Sequence, residues 1–327
     1  MIGLGVAGAG LIAKEVLPYL KSWGFAPAAI CGRPSSAEKT RETALQYAGG
    51  VYYCDFGEML KNPQVEAVYI AVPNHLHFRF AREALLAGRD VICEKPLASN
   101  LREAEELARL AASRGRLLFE AVTTVYQPAY AKTREWLPRI GDIKLVSCHF
   151  CQYSSRYDAF RAGKTMPVFD PEQSGGALMD IGMYNLTWLT GLFGKPVSAV
   201  YFPNMERGID TSGILTLDYG SFRAVSAAAK DCAAPARYLI QGTEGYLLTE
   251  TTANICRDVT LHMNDGTEEK YESGFGSRME CEFQTFARLI GKGDREACRR
   301  LLQGSLLVSE VMTEARLAAG LRFPADA

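Results

Sequence analysis

Apolar and polar positions change rhythm repeatedly over the first third of the chain. Short apolar runs at 2–7, 27–31, 51–53, 67–72, 90–93 and 117–120 have the length of strands. Between them, apolar residues recur three or four apart over 10–21, 35–47, 55–61, 75–87 and 100–114, the spacing of helices. Strands that alternate with helices predict parallel βαβ units, with helices covering both faces of one sheet. Ser35 with Glu38 and Asn100 with Glu103 have the spacing of capping boxes at two of the helix starts.

The rhythm changes after about residue 121. A helix over 130–136 is followed by strand-like runs at 143–153, 197–202, 213–217, 222–228, 238–241, 245–249 and 259–263. Turn sequences such as Asp218-Tyr219-Gly220 and Gly242-Thr243-Glu244-Gly245 separate several of them, which predicts an antiparallel sheet. Another helix is expected over 177–192. Two more, near 278–290 and 295–319, carry apolar stripes (Phe283, Phe286, Leu289; Leu301, Leu302, Leu306, Val311) that read as core. The expected division is therefore an α/β protein of two domains, residues 1–121 and 122–327.

Composition narrows the function classes. With 327 residues the chain is long enough for two cores, and its formal net charge of −1 gives no field toward nucleic acid or an anionic membrane. No apolar run reaches membrane-spanning length. Nine cysteines are scattered along the chain. Cys148 and Cys151 form one C-x-x-C, but on a strand that offset puts the thiols on opposite faces, and the second half of a zinc site is missing. Reduced thiols and a cytoplasmic location are the expectation, with no metal.

Chemistry concentrates at the carboxyl ends of the first-domain strands, where open parallel sheets bind ligands. After the first strand comes Gly8-Ala9-Gly10-Leu11-Ile12-Ala13, a G-x-G-x-x-A turn opening a helix. Its glycines allow a tight turn and close approach of a pyrophosphate to the helix start, where Leu11 and Ile12 follow. After the second strand, Gly32 stands where an acid would receive a ribose 2′-hydroxyl. Arg33, with Ser35 and Ser36, suits a 2′-phosphate instead, which favours NADP over NAD. The later strand ends deliver Pro73-Asn74-His75-Leu76-His77, then Glu94-Lys95-Pro96, then Glu120.

These motifs resemble the glucose-fructose oxidoreductase / inositol dehydrogenase (Gfo/Idh/MocA) family. The resemblance rests on G-A-G-L-I-A, on A-V-P-N-H-L-H and above all on C-E-K-P-L (residues 93–97). It extends to S-G-G-A-L-M-D-I-G-M-Y (174–184), a second signature. It implies an N-terminal doubly wound Rossmann domain and a C-terminal α/β domain with a large, open, mostly antiparallel sheet. It also implies a nicotinamide cofactor, and the strand-end residues Gly8, Gly10, Leu11, Ile12, Arg33, Ser35, Pro73, Asn74, His77, Glu94 and Lys95 are the candidates to hold it. Lys95 would contact substrate beside the nicotinamide. The second signature often ends in His; Tyr184 here resembles the dihydrodiol-dehydrogenase-like subgroup, where a tyrosine is the proposed acid/base.

Asp180 and Tyr184 stand four apart and share a face if their segment is helical. Gly182 inside that helix costs about 1 kcal/mol relative to Ala, which predicts a close approach there by cofactor or backbone. Together these readings predict hydride transfer to or from a secondary alcohol of a sugar, polyol or vicinal diol. Either Tyr184 or Lys95 moves the proton, and Asp180 orients the pair. Tyr126, Arg156, Tyr157 and Asn185 are candidates for binding substrate hydroxyls. The alternatives are a non-enzymatic cofactor-binding sensor or co-regulator, and an NAD-assisted glycoside hydrolase or lyase. An open sheet also predicts a homodimer or higher homo-oligomer.

Overall fold

Six short strands pair in parallel: β1 (Ile2–Ala7), β2 (Phe25–Cys31), β3 (Tyr52–Tyr53), β4 (Ala67–Ile70), β5 (Asp90–Glu94) and β6 (Leu118–Ala121). Their order is β3-β2-β1-β4-β5-β6. The computed structural model that gives this arrangement describes residues 1–274 and 276–327. The intervening helices are α1 (Leu11–Val16), α2 (Ala37–Tyr47), α3 (Phe56–Leu60), α4 (His77–Leu86) and α5 (Leu101–Arg114). Val68, Tyr69, Ile70, Val91, Ile92 and Cys93 are all fully buried. A strand with no exposed face needs apolar residues at successive positions, which is why β4 and β5 read as continuous runs. The chain runs outward from β1 to β3 and then returns to β4, so the order reverses beside the carboxyl end of β1. That reversal is where such sheets bind ligands.

One of the two expected capping boxes forms. Asn100 accepts the Glu103 N–H at 3.0 Å, and the Glu103 carboxylate returns to the Ser99 N–H at 3.0 Å. The Ser35–Glu38 box does not form. A single 3₁₀ turn, Pro34–Ser36, precedes α2, and Glu38 pairs with Arg41 at 2.6 Å instead.

The second sheet has eight strands. After α6 (Pro128–Trp136) come β7 (Ile143–Cys151), α7 (Tyr157–Arg161) and α8 (Met183–Phe193). Then follow β8 (Ser198–Glu206), β9 (Ile209–Asp218), β10 (Arg223–Ala229), β11 (Arg237–Gly242), β12 (Gly245–Thr249), β13 (Asp258–Met263) and β14 (Glu268–Glu272). The order is β14-β13-β12-β11-β7-β10-β9-β8, antiparallel except where β7 and β10 run parallel. β14 was not foreseen. Its sequence, EEKYE, has no apolar alternation because it is an exposed edge strand, where charge discourages further pairing. Cys148 is buried and Cys151 part-exposed, in keeping with opposite faces of β7.

The chain closes with α9 (Glu280–Lys292) and α10 (Arg295–Ala318). Two compact units result. One comprises Met1–Ala121 with Met279–Leu306, the other Val122–Arg278 with Leu307–Ala327. The expected division had a single boundary and placed the closing helices in the second domain; residues 279–306 instead pack with the first. Phe283 meets Phe25 and Tyr69 edge-on at 6.1 and 5.2 Å, and Phe286 lies 4.9 Å from Phe119. The apolar stripe of α9 is core, with Phe283, Phe286 and Leu289 buried, but the sequence pattern does not say which core.

Candidate active site

The turn after β1 requires its glycines for two different reasons. Gly8 has φ +111°, and a Cβ there would lie 2.3 Å from the Ala71 carbonyl oxygen. Only glycine combines that backbone with that approach. At Gly10 an added Cβ would meet nothing within 4 Å. Glycine at this position leaves open space at the start of α1, which fits a pyrophosphate approaching the backbone. Leu11 is 78 % exposed beside this space, while Ala13 is fully buried and lets α1 lie close to the sheet.

The missing acid at Gly32 has a steric cause. A Cβ there would fall 2.0 Å from Thr40 Oγ1 on α2, so no side chain fits. Arg33 follows with an extended backbone (φ −75°, ψ 151°) and is exposed together with Ser35. Ser36 Oγ donates to the Arg33 carbonyl at 3.1 Å, steadying the turn that presents the guanidinium.

The E-K-P segment is held from several sides. Tyr69 donates its hydroxyl to Glu94 Oε1 at 2.6 Å, and both residues are buried. The Lys95–Pro96 peptide bond is cis. The His77 ring places Nδ1 2.7 Å from the Pro96 carbonyl and Nε2 2.9 Å from that of Val72. The Leu97 N–H donates to Glu120 Oε1 at 2.7 Å. Burial pushes the His77 imidazole pKa down and the Glu120 carboxyl up to about 7. Lys95 itself is part-buried.

In the second unit the signature segment is wound differently from expectation. Leu178–Gly182 forms a π turn that runs into α8. Such widened turns are frequent at functional sites. The start of the segment is fixed by Asp210, which is fully buried on β9. Its Oδ2 accepts the Leu178 N–H at 2.8 Å and the Tyr201 hydroxyl at 2.7 Å. Burial pushes the Asp210 carboxyl up to about 6. Gly176 (φ +107°) leaves room for this carboxylate, since a Cβ would sit 2.0 Å from Oδ1. The close approach at Gly182 is made chiefly by side chains rather than by backbone: a Cβ would meet Leu178 Cδ1 at 3.1 Å and Ala228 Cβ at 3.4 Å.

Asp180 carries a partner with no obvious sequence signal. Lys230, 7 % exposed at the end of β10, forms an ion pair with it. The Lys230 backbone is tied to Thr211 and Ser154, and the adjoining Asp231 accepts from the Thr211 and Ser212 hydroxyls at 2.7 and 2.8 Å. Tyr184, on the first turn of α8, is 5 % exposed, with its ring 6.0 Å from that of Phe150.

Two family models match this chain. The "oxidoreductase family, NAD-binding Rossmann fold" model of the Gfo/Idh/MocA group covers residues 2–122, and that group's C-terminal domain model covers residues 130–248. The chain belongs to the Gfo/Idh/MocA oxidoreductase family. It is 34 % identical over 305 residues to scyllo-inositol 2-dehydrogenase (NADP(+)) IolU of Bacillus subtilis, covering 89 % of each chain. It is 29 % identical to trans-1,2-dihydrobenzene-1,2-diol dehydrogenase of Mus musculus, covering 98 % of each. In fold it is similar to the 3-ketoreductase KijD10 of Actinomadura kijaniata, with a TM-score of 0.84, 24 % identity and 97 % of each chain covered.

Not every candidate residue of this Gfo/Idh/MocA chain has a free role. His77 is 1 % exposed with both ring nitrogens against carbonyls, so it joins two loops of the site rather than facing a cofactor. Asn185 has no exposed surface. Its amide donates to Ser226 Oγ and the Ala227 carbonyl, both at 3.0 Å, and accepts from the Tyr238 hydroxyl at 2.6 Å. It braces α8 against the sheet and offers nothing to a substrate. Tyr157 is part-buried, with its hydroxyl on Glu206 at 2.7 Å. Arg156 is exposed, Tyr126 and Asn74 are part-exposed, and Pro73 lies at the surface.

Proposed function

We propose that this protein is an NADP-dependent dehydrogenase or reductase acting on a secondary alcohol of a sugar, polyol or vicinal diol. The observation that carries this reading is the bracing of the E-K-P segment, in which buried groups hold the Glu94 side chain before Lys95 and the Pro96–Leu97 backbone after it. The resemblance of the whole chain to an NADP-dependent inositol dehydrogenase and to dihydrodiol dehydrogenases supports the substrate class. Neither the sensor nor the hydrolase alternative finds support there.

When bound, the dinucleotide supplies the hydride acceptor or donor. Gly8, Gly10, Leu11 and Ile12 would hold its pyrophosphate, and Arg33 with Ser35 its 2′-phosphate. Pro73, Asn74 and Glu94 complete the strand-end edge. The proton falls to the protein. Tyr184 is the general acid/base, and a phenol with a pKa of about 10 needs nearby positive charge to act near neutrality. Lys95 binds the reacting oxygen and is the second candidate for the proton. Asp180, fixed by Lys230, sets the turn that precedes Tyr184. Tyr126, Arg156 and Tyr157 are the candidates for the other hydroxyls.

Fluorescence titration with NADPH and NADH tests the cofactor. NADPH binds more tightly to the parent protein, and Arg33→Ala weakens it about 10- to 100-fold, the worth of charge-assisted bonds to a phosphate. NADH binding changes little. Tighter NADH binding by the parent would overturn the assignment.

We also propose a homodimer or higher homo-oligomer formed through the second sheet, in a reducing cytoplasm where the nine cysteines stay free. Val200, Phe202, Ile214 and Leu145 are 49, 60, 47 and 54 % exposed, and Phe202 pairs with Ile214 across β8 and β9. An apolar patch of this kind is covered in most soluble proteins. Light scattering at micromolar concentration should show an oligomer, and Phe202→Glu should shift it toward monomer. No helix among the described residues is long and apolar enough to cross a membrane.

A further inference from the structure

Glu120 has no part in the chemistry described so far, yet it is 5 % exposed at the end of β6. A carboxyl is buried so deeply only when its oxygens are used. Oε1 accepts the Leu97 N–H at 2.7 Å, two residues beyond Lys95. The Ser305 hydroxyl of α10 lies near enough to favour the ionised carboxylate. Glu120 thus ties the last strand of the sheet to the E-K-P segment, with Ser305 of the closing helix close by.

The charges that face it are few. Lys95 favours its ionised form, while Glu94 of β5 opposes it, and the Cys93 thiol of β5 feels its charge in turn. The contribution of α10 is the neutral Ser305 hydroxyl. His77, on the far side of Pro96, has its imidazole pKa lowered chiefly by burial and feels Lys95 as well.

We propose that Glu120 is a positioning residue for Lys95: its carboxylate fixes the E-K-P backbone and counters the Lys95 charge, so that turnover depends on its ionisation. The inference rests on the proposed role of Lys95. It goes further, in naming a buried group that never touches substrate yet shapes the pH dependence of the reaction. Burial pushes this carboxyl up to about 7, so the ionised form gives way to the neutral one near neutral pH. Below that point the Leu97 N–H faces a weaker acceptor and Lys95 loses a counter-charge.

Two variants and two readouts test this. Glu120→Gln keeps an oxygen for Leu97 but not the charge; Glu120→Ala removes both. The parent should show an acidic limb in kcat/KM with an apparent pKa of about 7, the value to which burial brings Glu120. In Glu120→Gln that limb should vanish and kcat should fall several-fold. The second readout needs no turnover. The pH dependence of Lys95 acetylation, followed by peptide mass spectrometry on the free protein, should shift to lower pH in Glu120→Gln. An acidic limb unchanged in Glu120→Gln, or an unchanged Lys95 titration, overturns the proposal. If Glu120→Ala fails to fold, Glu120→Gln still decides it. Failure of the underlying reading looks different: Lys95→Met would then turn over normally, whatever the Glu120 variants do.

Discussion

Lys95→Met lowers kcat by about 10²- to 10⁴-fold, the range for loss of a proton-handling or charge-stabilising group. The protein nevertheless remains folded. Methionine retains most of the aliphatic stem, and the bonds of Tyr69 to Glu94, His77 to Pro96 and Glu120 to Leu97, which hold the segment, are left in place. Circular dichroism and the thermal midpoint should therefore stay close to those of the parent while turnover collapses. Tyr184→Phe is the companion measurement. It removes one hydroxyl from a residue that is 5 % exposed and whose ring packs near Phe150. If Tyr184 moves the proton, kcat falls by a comparable factor and its pH dependence changes shape. Near-normal turnover in the phenylalanine variant, beside a dead Lys95→Met, passes the proton to Lys95.

Lys230→Met destabilises the second unit by breaking a largely buried ion pair. Removing one member of a buried ion pair costs about 3–5 kcal/mol, because the other charge keeps its desolvation without its partner. The Lys230 side chain is 9 % exposed and that of Asp180 27 %, so the lower end of the range applies. Denaturant unfolding measures the effect. The double variant Lys230→Met/Asp180→Asn should recover part of the loss, since neutralising the second member relieves the stranded charge. Equal stability of parent and Lys230→Met would mean that the pair contributes nothing. Its place at the signature turn would then need another explanation.

How far the sequence reveals this protein differs between its parts. The Rossmann unit is legible because strands buried on both faces must be continuously apolar, and β4 and β5 are. The glycine turn is legible because Gly8 has no alternative residue at φ +111°. Gly32 misleads in part: its lack of a side chain follows from Thr40 on α2, a contact that sequence spacing does not display. The division into units is half legible. Composition changes at residue 121, but α9 returns to the first core through Phe283 and Phe286, and an amphipathic stripe does not name its partner.

The candidate site shows the same split. Lys95, Asp180 and Tyr184 stand in motifs of fixed spacing. Lys230 and Asp210 do not, because strand pairing between distant segments brings them to the signature turn. The one available hint was charge within apolar strands: Asp210 opens β9, and Lys230 follows the alanines of β10. Asn185 shows the reverse error. A polar residue beside Tyr184 suggested substrate contact, but its amide is fully occupied by Ser226, Ala227 and Tyr238.

Hydride transfer from an alcohol carbon is the centre of this account, and isotope labelling reads it directly. The purified protein is incubated with NADP⁺ and a panel of inositols, sugars and vicinal diols, and one turned-over substrate is then prepared with deuterium on the reacting carbinol carbon. The account predicts deuterium in the reduced cofactor, a matching carbonyl product and a primary isotope effect on the slowest hydride step. Consumption of the substrate with no label accumulating in the cofactor would contradict it.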